Sequence, residues 1–330
     1  QGQRLRGGQM TDKLDGVVRE HDFLGTVLVI RRGERLLARG YGMADLENGV
    51  PNALHTKFRI GSITKMFTAM AVMMLAERGK LRFEDLLSGY LDDIPDHWSD
   101  ITLHHLLSNS SGIVHSWALP GFTENMSLRA TTGETIQKFV DQPLVASPGE
   151  KYHYSGAGFF VLSQVVEKVS GQSYEAFLRE HILEPLEMAD TGCDHPDPIL
   201  PHRARGYAPA EDGLINSPMI YMPILTGGGN LYSTVEDLAK WDAALNAGKL
   251  ISESSYERMF TPVLNNYAYG WRVMVEDGRR SVMHGGGVSG FNTFLLRFPE
   301  DDVCVIVLSN VKPAPSNPIA QKLAGVVFGQ

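Results

Sequence analysis

The alternation of apolar and polar positions divides the chain into three stretches. Near the start, Leu14, Val17 and Val18 recur at helical spacing between Thr11 and Asp22 and predict an amphipathic helix. Residues 1–10 ahead of it are polar and Gly-rich and are expected to fray. Two strands follow, at 25–31 and 34–40, joined by the hairpin signal Arg32-Gly33. After a loop, Phe58-Arg59-Ile60 leads into an apolar helix from about Ser62 to Arg78, which Gly79 is placed to close. The middle of the chain, about 80–265, reads as helices joined by Pro- and Gly-containing loops, among them 102–107, 158–169, 173–181 and 234–246. The last of these begins Ser233-Thr234-Val235-Glu236, where a hydroxyl can cap orphan N–H groups and the acid favours the positive end of the helix. Strands return at 267–276, 280–284, 291–298 and 303–308, and a final helix spans 318–328. No internal repeat interrupts this pattern.

Strands first, helices in the middle and strands last predict an α+β fold. One antiparallel β-sheet is flanked by terminal helices and carries a mainly helical insert. The expected division is residues 1–65 plus 266–330 as a discontinuous sheet domain and 66–265 as the helical domain, with the active site at their junction.

Composition narrows the function classes. With 43% hydrophobic and 21% charged residues over 330 positions, the chain can bury a large core and is not disordered. Thirty basic against 38 acidic residues, a net charge of −8, and the lack of a basic block argue against nucleic acid as a partner. Two cysteines are too few for a disulfide framework or a Cys-rich zinc site. Cys304 lies in an apolar run and reads as core, and Cys193 lies in a loop-like stretch. The helical apolar segment from Met66 to Ala76 falls short of the roughly 20 residues a transmembrane span requires. The first residue is Gln, which leaves a processed export product or a trimmed chain as alternatives.

Three features could carry chemistry. In Ser62-Ile63-Thr64-Lys65, a serine opens a helix, and the i, i+3 spacing lets the Lys65 amine reach its hydroxyl. If Ile63, Met66, Phe67, Met70 and Val72 bury that turn, desolvation leaves a neutral amine able to act as a base. The plainer alternative is a capping serine beside a surface lysine. A second copy of the spacing, Ser309-Asn310-Val311-Lys312, ends a strand and runs into Pro313 and Pro315, so it lacks helical geometry. The second feature is Pro148-Gly149-Glu150-Lys151-Tyr152-His153-Tyr154-Ser155-Gly156, a turn leading to tyrosines before a long apolar helix. A tyrosine hydroxyl among positive groups can relay a proton, or can simply bond its tip while burying its ring. The third is His284-Gly285-Gly286-Gly287 between two strands, either a glycine-lined edge where substrate approaches backbone or a Gly-rich hairpin with a solvated histidine. An N–H there and one at Ser62 could form an oxyanion hole, and His284 could donate to substrate or to the tyrosine.

Together, in this order and spacing, these motifs resemble the serine β-lactamase and penicillin-binding-protein superfamily. The likeness is to its class C-like branch of D-amino-acid peptidases, esterases and β-lactamase-related hydrolases, and it runs from about residue 12 to 328. The segments 101–112, 227–238 and 291–310 join in. The resemblance implies an acyl-enzyme mechanism without cofactor or metal. In it Ser62 is the nucleophile, Lys65 its base and Tyr154 the proton relay. The backbone N–H groups of Ser62 and Gly287 form the oxyanion hole, and His284, Gly285, Gly286 and Gly156 face substrate. It also implies a small ester, amide or short peptide as substrate, and a periplasmic or secreted location.

One position departs from the pattern. Gly156 stands where the family usually has Asn in Tyr-x-Asn, so a side-chain hydrogen bond to a substrate amide is missing, worth about 1–3 kcal/mol. Asn230 and Ser289 are the candidates to replace it in space. The third motif also lacks Lys-Thr-Gly, and with it a permanent charge for a substrate carboxylate. Both departures favour esters over β-lactams. The rival readings have less support. An α/β-hydrolase needs a Gly-x-Ser-x-Gly elbow, which is missing from the chain. A zinc hydrolase lacks His-Glu-x-x-His, and Cys193, His195 and His202 fall among prolines. The alternative from another class is a penicillin-binding or partner-binding relative with little turnover. Gly156 motivates that reading, and the joint presence of Ser62, Lys65 and Tyr154 opposes it.

Overall fold

The computed structural model describes residues 7–276 and 278–330. Its centre is a six-stranded antiparallel sheet in the order Arg272–Glu276, Arg279–Val288, Phe291–Phe298, Val303–Ser309, Gly25–Arg31, Glu34–Tyr41. Val27 sits opposite Val307 and Gly25 opposite Ser309, so the chain's beginning and end are stitched together in mid-sheet. Both central strands are apolar on both faces, as strands covered on two sides must be.

Period-two alternation sorts their side chains into two cores. Val27, Val29, Val305 and Val307 meet Leu14 and Val18 of the helix Gly7–Arg19 and Ile319, Leu323 and Val327 of the helix Ser316–Phe328. Leu28, Ile306 and Leu308 face the other way and join the core of the helical region, with Met66, Phe67 and Met70. The hydrophobic core thus has two parts, one on each face of the sheet. The helices of the middle stretch include Thr64–Glu77, Gly156–Ser170 and Val235–Asn246. Helix Thr64–Glu77 is buried on every side from Thr64 to Leu75, the behaviour of a helix apolar all round.

Several boundaries differ from expectation for identifiable reasons. The first helix begins at Gly7, so residues 7–10 are ordered, while residues 1–6 lie outside the described residues. The strand expected from Tyr267 starts at Arg272, because Gly270 turns at φ +75 against the Lys65 carbonyl, where a Cβ would come within 2.7 Å. The strand expected to stop at His284 runs on to Val288, so the three glycines are strand and not hairpin. The segment expected as one helix over 173–181 is a short α-helix, Tyr174–Leu178, continued by a π turn, Arg179–Leu183. Helix Thr132–Val140 was not expected. Its start is fixed by a reciprocal capping box between Thr131 and Glu134. Cys193 lies in a short strand and is buried. Among the described residues, no helix is long and apolar enough to cross a membrane.

Candidate active site

Ser62 sits in a 3₁₀ turn, Gly61–Ile63, that runs directly into helix Thr64–Glu77. A 3₁₀ turn eclipses residues i and i+3, which brings Lys65 beneath Ser62. Lys65 Nζ lies 3.1 Å from Ser62 Oγ and 2.7 Å from the Gly228 carbonyl oxygen. The lysine is 1% exposed and forms no ion pair among the described residues; burial draws its pKa down to about 7. Its Nζ also lies over the rings of Tyr154 and Phe159, at 5.0 and 5.4 Å from their centroids. A neutral amine has two N–H donors and one lone pair. With one hydrogen committed to Gly228, the lone pair is free to face the Ser62 hydroxyl.

Tyr154 is delivered by the segment before helix Gly156–Ser170. Asn109, at φ +54, holds that segment on both sides of the tyrosine. Its carbonyl accepts from His153 N and its side-chain oxygen accepts from Ser155 N. Burial pushes the Tyr154 phenol up to about 12, with a hydrogen bond to Ser62 opposing the shift. At neutral pH it therefore carries its proton and can donate it, whereas the Lys65 amine is the group that can accept one.

The open edge of the sheet forms the opposite wall. Strand Arg272–Glu276 pairs with its neighbour only as far as Met283, so His284–Val288 has no strand on that side. The edge presses on the turn that carries Ser62. A Cβ on Gly61 would come within 2.6 Å of Gly287 N, and one on Gly286 within 1.9 Å of the Ile60 carbonyl oxygen. Thr293 Oγ1 donates to that same oxygen at 2.9 Å and fixes the contact. Gly285 faces the other side of the sheet, against Phe294.

His284 is engaged on both nitrogens. Nδ1–H donates to the Gly285 carbonyl at 2.6 Å, which leaves Nε2 to accept from Tyr267 OH at 3.0 Å. Burial, with Lys65 nearby, pulls its pKa down to about 3, so the ring stays neutral. The expectation that His284 donates to substrate or to Tyr154 does not fit this bonding, because its one proton is spent on backbone.

Ser62, Lys65, Gly156 and Gly287 line one cleft together with Ser116 and Trp117. Both expected substitutes for the missing asparagine already bond to backbone. Asn230 Oδ1 accepts from Gly227 N, and the Ser289 hydroxyl donates to the Pro218 carbonyl. The space beside Gly156 is taken by Ser116, whose Oγ would lie 3.4 Å from a Cβ at 156, and by His115, whose pKa burial lowers to about 4. Asn109, His115, Ser116 and the Gly228 carbonyl were all missed as site residues. Their only sequence signals were turn-forming composition and a glycine run. A larger cavity of about 520 Å³ lies elsewhere, lined by Leu178, Met188, Cys193 and Tyr232 among others, and contains none of the expected site residues.

Known proteins share this architecture. PbpX of Bacillus subtilis strain 168 is 31% identical over 311 residues, covering 94% of this chain and 76% of its own. The octameric penicillin-binding protein homologue from Pyrococcus abyssi superposes with a TM-score of 0.85 at 29% identity, covering 99% of this chain and 78% of that one. EstCE1, a hydrolase with promiscuous acyltransferase activity, shares the fold at a TM-score of 0.82 and 19% identity, over 97% and 98% of the two chains. The sequence profile of the Beta-lactamase family matches residues 10–326, nearly the whole length, and the chain belongs to that family.

Proposed function

We propose that the chain is a serine hydrolase working through an acyl-enzyme on Ser62. The observation that carries this reading is the buried Lys65 amine, near neutrality in charge and 3.1 Å from the Ser62 hydroxyl. As Ser62 Oγ attacks the substrate carbonyl carbon, its proton passes to Lys65 Nζ and the carbonyl oxygen gains the charge. The N–H groups of Ser62 and Gly287, held together by the backbone contact of Gly61, receive that oxyanion. When the carbonyl re-forms, the bond to the leaving oxygen or nitrogen breaks and Tyr154 gives its proton to that atom. The Lys65 ammonium then restores the phenol's proton. Water repeats the sequence on the ester to release the acid and return the proton to Ser62 Oγ. His284 acts as a positioning residue, fixing the edge strand through Gly285 and Tyr267.

Esters are favoured over amides and β-lactams. Gly156 offers no side chain to an amide N–H, and the atoms nearest a Cβ there belong to Ser116, Phe160 and His115, not to Asn230 or Ser289. The test is a fluorophosphonate adduct mapped by mass spectrometry, with turnover of p-nitrophenyl butyrate. An adduct on Ser62 with ester turnover is expected. No adduct from fluorophosphonate or penicillin, and no turnover, would instead leave a penicillin-binding or partner-binding protein.

A further inference from the structure

The cavity of about 520 Å³ that holds none of the expected site residues lies behind the turn of Ser62. Strand Leu231–Ser233 separates the two. It pairs with Phe58-Arg59 on one edge and with Gly192-Cys193 on the other, and its Leu231 carbonyl accepts from Ile60 N at 2.9 Å. The cavity lies on the Gly192-Cys193 side. There helix Tyr174–Leu178 widens into the π turn Arg179–Leu183, a departure from regular helix that recurs at functional sites. A Cβ at Gly192 would come within 2.9 Å of the Tyr232 hydroxyl, so a bare glycine gives that ring its place on the wall.

The lining has two halves. Leu178, Leu183, Met188 and Leu231 are buried and make an apolar floor, in a volume within the range of small-molecule sites, about 300–1,000 Å³. The rim carries Glu175, Glu184 and Glu187 against a single cation, Arg179. Arg179 lies 3.6 Å from Glu184, which leaves the other two carboxylates in excess. Glu175 meets only the His195 ring, at 2.9 Å. The nearby Lys240 is held by Asp237 and by the Glu187 carbonyl, not by the Glu187 carboxylate. This negative charge is felt inside the cavity. Burial, and after it the carboxylates of Asp194 and Glu175, push the Tyr232 phenol above its ordinary value. That phenol is half-buried and forms no hydrogen bond among the described residues. Burial pushes the Cys193 thiol up as well, so the floor offers no thiolate to a metal or an electrophile.

An apolar hollow with surplus carboxylates at its rim fits one kind of molecule. An anion is repelled there, and an uncharged apolar molecule leaves the carboxylates unused. An ammonium on an apolar body buries its chain on the floor and keeps its charge at the acidic rim. The Tyr232 oxygen can accept its N–H, and the ring face can attract its charge. We propose that this cavity is a second ligand site, selective for an amphipathic cation. The proposal goes beyond the reading of Ser62 as nucleophile and does not depend on it.

The test is calorimetric titration at pH 7 with octylammonium, 1-octanol and octanoate, which hold the chain constant while the charge runs from positive to negative. Octylammonium is expected to bind about tenfold tighter than octanol, with octanoate the weakest. Glu175→Gln combined with Glu187→Gln is expected to bring the octylammonium preference close to one while leaving octanol within about twofold. Ala189→Trp, at an exposed position of the lining, is expected to weaken all three by about tenfold or more with an unchanged Tm. Octylammonium binding no tighter than octanol, or no saturable binding, would overturn the proposal. So would a preference that survives the loss of both carboxylates, or binding that survives in a folded Ala189→Trp. Should Ala189→Trp fail to fold, the floor itself reports. Octylammonium is then expected to slow the reaction of Cys193 with methyl methanethiosulfonate and to leave Cys304, in the central sheet, unaffected. Equal Cys193 rates with and without octylammonium would place the ligand elsewhere and end the proposal.

Discussion

The chain spells Ser-x-x-Lys twice, and the two copies fold to opposite ends. At Ser62 the backbone turns through a 3₁₀ step into a helix, so the amine three residues on is drawn under the hydroxyl and buried there. At Ser309 the backbone leaves the end of a central strand. The Ser309 hydroxyl donates to the Leu24 carbonyl at 2.7 Å and accepts from Val311 N at 3.2 Å. Lys312 is carried away from it toward Gly287 and Trp117. One serine is left beside a buried amine, and the other is used up in closing the sheet. The same letters therefore set an amine beside a hydroxyl only where local backbone geometry gives residues i and i+3 a shared face.

Four experiments probe this contrast, in decreasing order of expected effect. Ser62→Ala should lower kcat/KM on a short ester by about 10⁴-fold or more with a nearly unchanged Tm, whereas Ser309→Ala should leave kcat/KM within about twofold. Ser309→Ala should instead lose about 1 kcal/mol of unfolding free energy in urea, because the half-buried Leu24 carbonyl loses its donor. Activity surviving in Ser62→Ala, or lost in Ser309→Ala, would reverse the roles of the two copies.

Lys65→Met should lower kcat by about 10²–10⁴-fold. Its stability relative to wild type should depend on pH in a definite sense. Lys65 titrates near 7 when folded and near 10.5 when unfolded, so between those values the unfolded chain binds the extra proton. Wild type should therefore gain stability relative to Lys65→Met as pH rises from about 7 to about 10.5, and the difference should be flat below 7. A flat difference throughout, measured by chemical denaturation, would mean the amine is charged in the folded state.

The pH–rate profile tests the same amine without mutation. kcat/KM should fall about tenfold per unit below pH 7 and level off above it, since only the neutral amine accepts the Ser62 proton. A profile that keeps rising towards pH 10 would point to an ordinary exposed lysine. The smallest effect is expected from Gly156→Asn. A Cβ there meets Ser116 Oγ at 3.4 Å and Phe160 at 3.7 Å, which are ordinary contacts, so the variant should fold. It should raise the amide-to-ester rate ratio severalfold; an unchanged ratio would show that the missing side chain is not what sets the preference.

Much of this arrangement was legible in the chain. The central strands announce themselves because burial on both faces demands unbroken apolar runs such as 25–30 and 303–308. The helix after Ser62 was legible for the same reason, since Lys65 is its lone charge before Glu77. Glycines hid the rest. Residues 285–287 left a glycine-lined edge and a hairpin both open; they are strand, with Ile60 and Thr293 leaving no room for a side chain at Gly286. The positions of Asn109, Ser116 and Lys312 follow from long-range contacts, to which neither periodicity nor spacing is sensitive. His284 was singled out as a donor to substrate or tyrosine or else a solvated residue, but its partner Tyr267 lies 17 residues away and the tautomer it imposes could not be read.

The bare seam where the 60–61 peptide meets residues 286–287 has a consequence for how such a protein diversifies. Two main chains in direct contact can be neither widened by deleting a methyl group nor narrowed by adding one. Drift in either partner would shift residues 61 and 287 together. Room for change lies instead in the side chains of the other walls of the cleft, such as Trp117 and Ser116.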